Sequence, residues 1–127
     1  MHSHPSFENP PALGHEVVVE TLERALRDRS HEAEAATVLV GSALNDDDGD
    51  FVEHWCVQVG TRAVQGSPLL GLAGLCLGHT ARRFGRLGDE ALALSESLAV
   101  RAEADPSDVD GLALDGYDDV RSFLHLW

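Results

Sequence analysis

Apolar residues in this chain recur at intervals of three and four, not at every second position. That spacing predicts helices throughout and leaves no segment that reads as a strand. Val18, Leu22, Ala25 and Leu26 share one face of a helix predicted over about Glu16 to Asp28. Ala33, Ala36, Val40 and Ala43 do the same over Glu32 to Leu44, with Ser30 in the capping position. A third helix, about Phe51 to Val64 and capped by Asp50, turns Phe51 or Val52, Trp55, Val59 and Ala63 inward. A fifth, about Glu90 to Glu103 and capped by Asp89, buries Ala91, Leu94, Leu98 and Ala102. Asp105-Pro106-Ser107 then ends that helix and opens a sixth, along which Val109, Leu112, Ala113, Gly116, Val120, Phe123 and Trp127 form one stripe.

The fourth helix differs from these because it is apolar nearly all round, as expected of a segment covered on several sides. Ser67 can cap it, Pro68 fits its first position and Gly85 can stop it, just after the basic pair Arg82–Arg83. Gly71, Gly74 and Gly78 lie three and four apart, a bare stripe along which another backbone can approach. Its uninterrupted apolar run is too short to cross a bilayer core of roughly 30 Å. Steps of forty residues link it to two other helices: Ala33, Ala73 and Ala113 are in phase, as are Ala36, Cys76 and Gly116. Val40, Thr80 and Val120 follow one turn later, then Leu44, Phe84 and Leu124. Gly71-Leu72-Ala73 recurs as Gly111-Leu112-Ala113. Such a period predicts a two-helix repeat, hence three helical hairpins stacked side by side. Residues 1–14, with three of the five prolines, read as a flexible N-terminal arm, and 15–127 as a single domain.

Charge changes the picture more than composition does. The formal net charge is −13, and all nine basic residues are arginine. That balance argues against nucleic acid and anionic membrane and favours a basic protein partner, or solubility alone. Cys56 and Cys76 both fall inside apolar helical patterns and read as buried thiols, in keeping with a reducing cytoplasm. The first residues lack the basic-then-apolar order of a secretory signal.

Two stretches resemble the HEAT-like repeat proteins. Asp105-Pro106-Ser107-Asp108-Val109 is close to the Asp-Pro-x-x-Val that opens the second helix of such a repeat. Gly71-Leu72-Ala73-Gly74-Leu75-Cys76-Leu77-Gly78-His79-Thr80-Ala81-Arg82 is similar to the core of a group of small stand-alone bacterial HEAT-like proteins. Tyr117-Asp118-Asp119-Val120-Arg121-Ser122-Phe123-Leu124 is similar to their ending. The resemblance covers about residues 50 to 124. It implies an all-α, short right-handed α-solenoid that offers a surface to another protein; some proteins of this group are thought to be immunity proteins beside secreted toxins. The arginine that usually follows the motif's valine is Ser30, Leu70 and Asp110 in the three copies, which puts the usual arginine–aspartate ladder in doubt.

Candidate chemistry is sparse. His15-Glu16 and His31-Glu32 are His-Glu pairs of the type that holds iron in HEAT-like hydroxylases, but such a site needs four and both sit at helix starts, where glutamate suits the dipole. Cys76 and His79 share a face without further ligands, and no nucleophile or phosphate loop is recognisable. No cofactor or metal is expected. The acidic clusters remain: Asp46, Asp47, Asp48, Asp50 and Glu53 form one, and Asp108, Asp110, Asp115, Asp118 and Asp119 belong to the other. They are the candidate partner-binding residues of a cytoplasmic, non-enzymatic immunity or antitoxin-type inhibitor, monomer or homodimer, that meets a basic toxin. The alternatives are a scaffold adaptor unrelated to toxins and, third, an iron-dependent hydroxylase-like enzyme; a solvated, merely solubilising surface stands beside all three.

Overall fold

A computed structural model describes residues 13–126; the first twelve residues of the expected arm, and Trp127 from the sixth-helix stripe, lie outside the described residues. All regular structure among these residues is helical, as the pattern predicts. The elements are α1 (His15–Arg27), a 3₁₀ turn (Arg29–His31), α2 (Glu32–Asn45), α3 (Gly49–Arg62), α4 (Pro68–Phe84), α5 (Asp89–Ala104) and α6 (Leu112–Phe123).

The fourth helix ends where its covalent chemistry dictates. The Ser67 hydroxyl accepts from the Leu69 amide at 3.1 Å, Pro68 takes the first turn, and Gly85 closes the helix in the left-handed region with φ 70°. Between these ends α4 touches α2, α3, α5 and α6, so most of its apolar surface is covered, with Leu72 and Leu75 left half-buried. The glycine stripe faces α6. A methyl built on Gly74 would lie 2.9 Å from the Ala113 Cβ, and one on Gly78 would lie 2.7 Å from the Gly116 carbonyl oxygen. Gly116 answers from the other side, where a methyl would run into the Gly74 carbonyl group. Only hydrogen at these positions lets the two backbones meet.

Helices also touch in two rows, α1–α3–α5 and α2–α4–α6, with sequential pairs packed together. Polar contacts tie the connections on each edge. On one edge Ser67 donates to Glu32 at 2.6 Å, and the Gly66 amide donates to the Asp108 carbonyl at 3.0 Å. On the opposite edge the Gly88 amide donates to Glu53 at 2.9 Å, while Arg83 donates to the carbonyls of Ala43 and Asp46 at 3.0 and 2.7 Å. The Ala43 carbonyl in the last turn of α2 and that of its cap residue Asp46 are thus satisfied by a side chain from α4.

Several local expectations give way. Helix α2 buries Ala35, Leu39, Ser42 and Ala43, and Ala33 is exposed. Its buried set matches that of α4 at a spacing of 38, not 40, residues: Ala35 with Ala73, Leu39 with Leu77, Ser42 with Thr80, Ala43 with Ala81. Asp48, not Asp50, caps α3 by accepting from the Phe51 amide at 3.0 Å, and Asp89 is the first residue of α5 rather than its cap. Ser30 does not cap α2. Instead Asp28 accepts from both the amide and the hydroxyl of Ser30, at 3.0 and 2.8 Å, and builds the 3₁₀ turn. Asp105 does the same for Ser107, at 3.0 and 2.7 Å. That turn delays α6 until Leu112, leaving Val109 as a buried plug ahead of the helix. Phe123, expected inside, is exposed.

Candidate functional site

The ten candidate carboxylates are not equivalent, because α4 holds Asp108 and Asp110 of the second cluster apart from the first, while Asp119 lies alongside Gly78. Asp46 and Asp47 meet Arg83 near its C-terminal end, whereas the Asp108 carbonyl meets Gly66 just before its N-terminal end. Seventeen helical residues at about 1.5 Å each put roughly 25 Å between these two contacts. No single patch joins Asp46 to Glu53 with Asp108 and Asp110.

Within the first cluster, Asp46 is 7% exposed and its carboxylate is engaged inside the chain. One oxygen meets His15 Nε2 at 2.9 Å, and the other accepts from the Asp48 amide at 2.8 Å. His15 in turn stacks flat on Phe51, with ring centroids 3.5 Å apart. Glu53 holds the start of α5, and Asp48 the start of α3. Asp47 and Asp50 face solvent, with side-chain exposures of 103% and 81%, and meet Arg83 and Arg86 at 3.4 and 3.3 Å. Such exposed pairs contribute little to stability. An open cleft of about 320 Å³ lies between α3 and α5, lined by Asp50, Glu53, His54, Val57, Asp89 and Glu90.

In the second cluster Asp108 forms a two-bond pair with Arg101, at 2.8 and 2.9 Å, that fastens the last turn of α5 to the connection before α6. The guanidinium holds the Asp108 carboxyl below the usual carboxylate range. Asp110 accepts from the Leu112 amide at 2.9 Å and lies against Gly71. Asp119 is half-buried beside His79, while Asp115 and Asp118 are exposed, with no hydrogen bond or ion pair to another described residue.

The histidines go to different tasks. His31 sits 3.2 Å from Glu34, and Glu32 accepts from Ser67, so the two His-Glu pairs do not converge. Among the described residues no three His, Cys, Asp or Glu side chains gather as a metal-ligand set. His79 accepts from Arg82 at 2.9 Å, and burial followed by that positive neighbour lowers its pKa, with Asp119 opposing. Cys56 and Cys76 are buried free thiols, and the hydrogen bond from one to the other, then burial, pushes Cys56 well above the ordinary thiol range.

Sequence reasoning passes over one surface feature: an open groove of about 490 Å³ between α5 and α6, floored by Ala99, Val100, Leu114 and Tyr117. Its trace in the sequence is Val100, an apolar residue off the helix face shared by Ala91, Leu94, Leu98 and Ala102. No described helix is long and apolar enough to cross a membrane. Comparison of the chain with protein-family models, curated proteins and solved structures finds no match.

Proposed function

We propose that this chain is a protein-binding module: a short HEAT-like α-solenoid that acts in the bacterial cytoplasm as an immunity or antitoxin-type inhibitor of a basic toxin. The observation that carries the reading is where the positive charge goes. Arg24, Arg29, Arg62, Arg83, Arg86 and Arg101 all lie within ion-pair distance of the chain's own carboxylates. With 22 acidic residues against nine arginines, most of the acidic surface is left without a counter-charge. Self-repulsion of that kind weakens a small fold, and a basic partner relieves it while speeding encounter. The solenoid part of the reading is supported by the two rows of helices and by the matched Asp28–Ser30 and Asp105–Ser107 turns.

The test is capture of a partner from the native host at rising salt, with wild type beside the charge-reversed pair Asp47→Lys and Asp50→Lys. The expected partner is basic, is released as salt shortens the reach of exposed charges, and binds the reversed variant more weakly. A toxin gene beside this one agrees with the reading. Retention of the same partner, indifferent to ionic strength and to both substitutions, overturns the acidic docking surface.

A further inference from the structure

The α5–α6 pair is the end of both helix rows: α4 lies between α2 and α6, and α3 between α1 and α5, but no described helix covers the outer side of the last pair. What it offers there is not the glycine stripe that joins α4 to α6. Ala99 and Val100 from α5 and Leu114 and Tyr117 from α6 floor an open groove of about 490 Å³. Val100 is 62% exposed, the highest among the exposed large apolar residues of the described chain. Glu103 and Asp118 stand on the rim with one arginine, Arg121, which donates to the Leu126 carbonyl at 3.2 Å and lies 5.8 Å from the Tyr117 ring, so the rim carries two carboxylates against one guanidinium. Apolar floor and acidic rim together match one kind of ligand, an apolar stripe flanked by positive side chains.

We propose that this groove docks an amphipathic helix from a basic partner protein, its apolar stripe laid on Val100 and Leu114 and its lysines or arginines facing Glu103 and Asp118. The mode is helix-in-groove recognition, in which residues at three- and four-residue spacing enter an apolar furrow. A second copy of this chain is the poorer occupant, since two molecules of net charge −13 repel each other. The inference rests on the basic-partner reading but moves the contact from the acidic connections to the end of the helix rows.

The probe is a synthetic 18-residue peptide with a leucine stripe flanked by lysines, beside a scrambled peptide of the same composition, at physiological salt. Backbone amide shifts and affinity are read by NMR titration. The stripe peptide is expected to shift residues around Val100 and Leu114 and to bind more tightly than the scrambled one. Val100→Glu, at an exposed position that leaves the melting temperature unchanged, is expected to weaken it roughly tenfold. Glu103→Lys with Asp118→Lys is expected to weaken it as well. Equal binding of both peptides, or shifts confined to residues 46–53, overturns the groove and leaves the charge reading standing. Failure of both peptides to bind overturns both. A homodimer in sedimentation that Val100→Glu dissolves shows that a second copy, not a basic helix, is the occupant.

Discussion

Replacing Gly116 by alanine tests the packing on which the arrangement rests. In an exposed helix interior the change stabilises by about 1 kcal/mol, because alanine loses less backbone entropy than glycine. At Gly116 the new methyl would overlap the Gly74 carbonyl group and press on the Leu75 Cα. Both are backbone, so no rotamer change relieves the contact, and α6 has to withdraw along its length. Overpacking costs 1–3 kcal/mol where side chains can adjust; where backbone alone must move, the upper end applies, about 3 kcal/mol. Subtracting the helix gain leaves a net loss of about 2 kcal/mol. For a chain of this size that is a fall in melting temperature of about 6–12 °C. Gly41 is the internal control: it lies within α2, and a methyl there meets nothing within 4 Å. Gly41→Ala is expected to raise stability by up to about 1 kcal/mol. Thermal and urea unfolding of the two variants should therefore move in opposite directions. A Gly116→Ala protein at least as stable as wild type would refute the close α4–α6 approach.

Two further expectations concern polar groups. The Ser95 hydroxyl is buried with no hydrogen-bond partner among the described residues, so Ser95→Ala should stabilise the chain by about 1 kcal/mol in urea titration; a loss of stability would show that the hydroxyl is satisfied in solution. Glu23 is held below its ordinary pKa by its bond to Arg62, and Asp108 by its bond to Arg101. Because the folded-state values are depressed, the contribution is complete above the ordinary carboxylate range and is lost as pH falls below it. Melting temperature measured from neutral to acid pH should fall in that window, and less steeply in the double variant Glu23→Gln with Asp108→Asn.

The parts legible in the sequence are those set by one residue's covalent chemistry. Ser67, Pro68 and Gly85 bound α4 because a hydroxyl can accept a free first-turn amide, proline has no amide hydrogen to leave unpaired there and glycine enters the left-handed region without strain, and the glycine stripe announced a close neighbour because only glycine admits one. The buried face of α2 was not legible. Ala33, Ala35, Ala36, Val38, Leu39, Val40 and Ala43 supply apolar residues on more than one face, and a forty-residue step from α4 selects the wrong one by two positions. In Asn45 to Asp50 four aspartates could each cap a helix, and local sequence does not rank them. The choice is made by His15 and Arg83, 31 and 37 residues from Asp46, which draw that residue inside and leave Asp48 at the helix start. A carboxylate meant for a partner and one engaged inside the fold look alike until those distant residues are placed.

Synthesis order gives the Gly71–Gly78 stripe one more meaning. When α4 leaves the ribosome, helices α2 and α3 are already available to cover two of its sides, yet the furrow made for α6 stays open until some forty more residues emerge. The nascent protein therefore carries bare backbone until α6 arrives. Premature termination before Leu112 would leave not a smaller version of the protein but an unsealed one, exposed to chaperones and proteases.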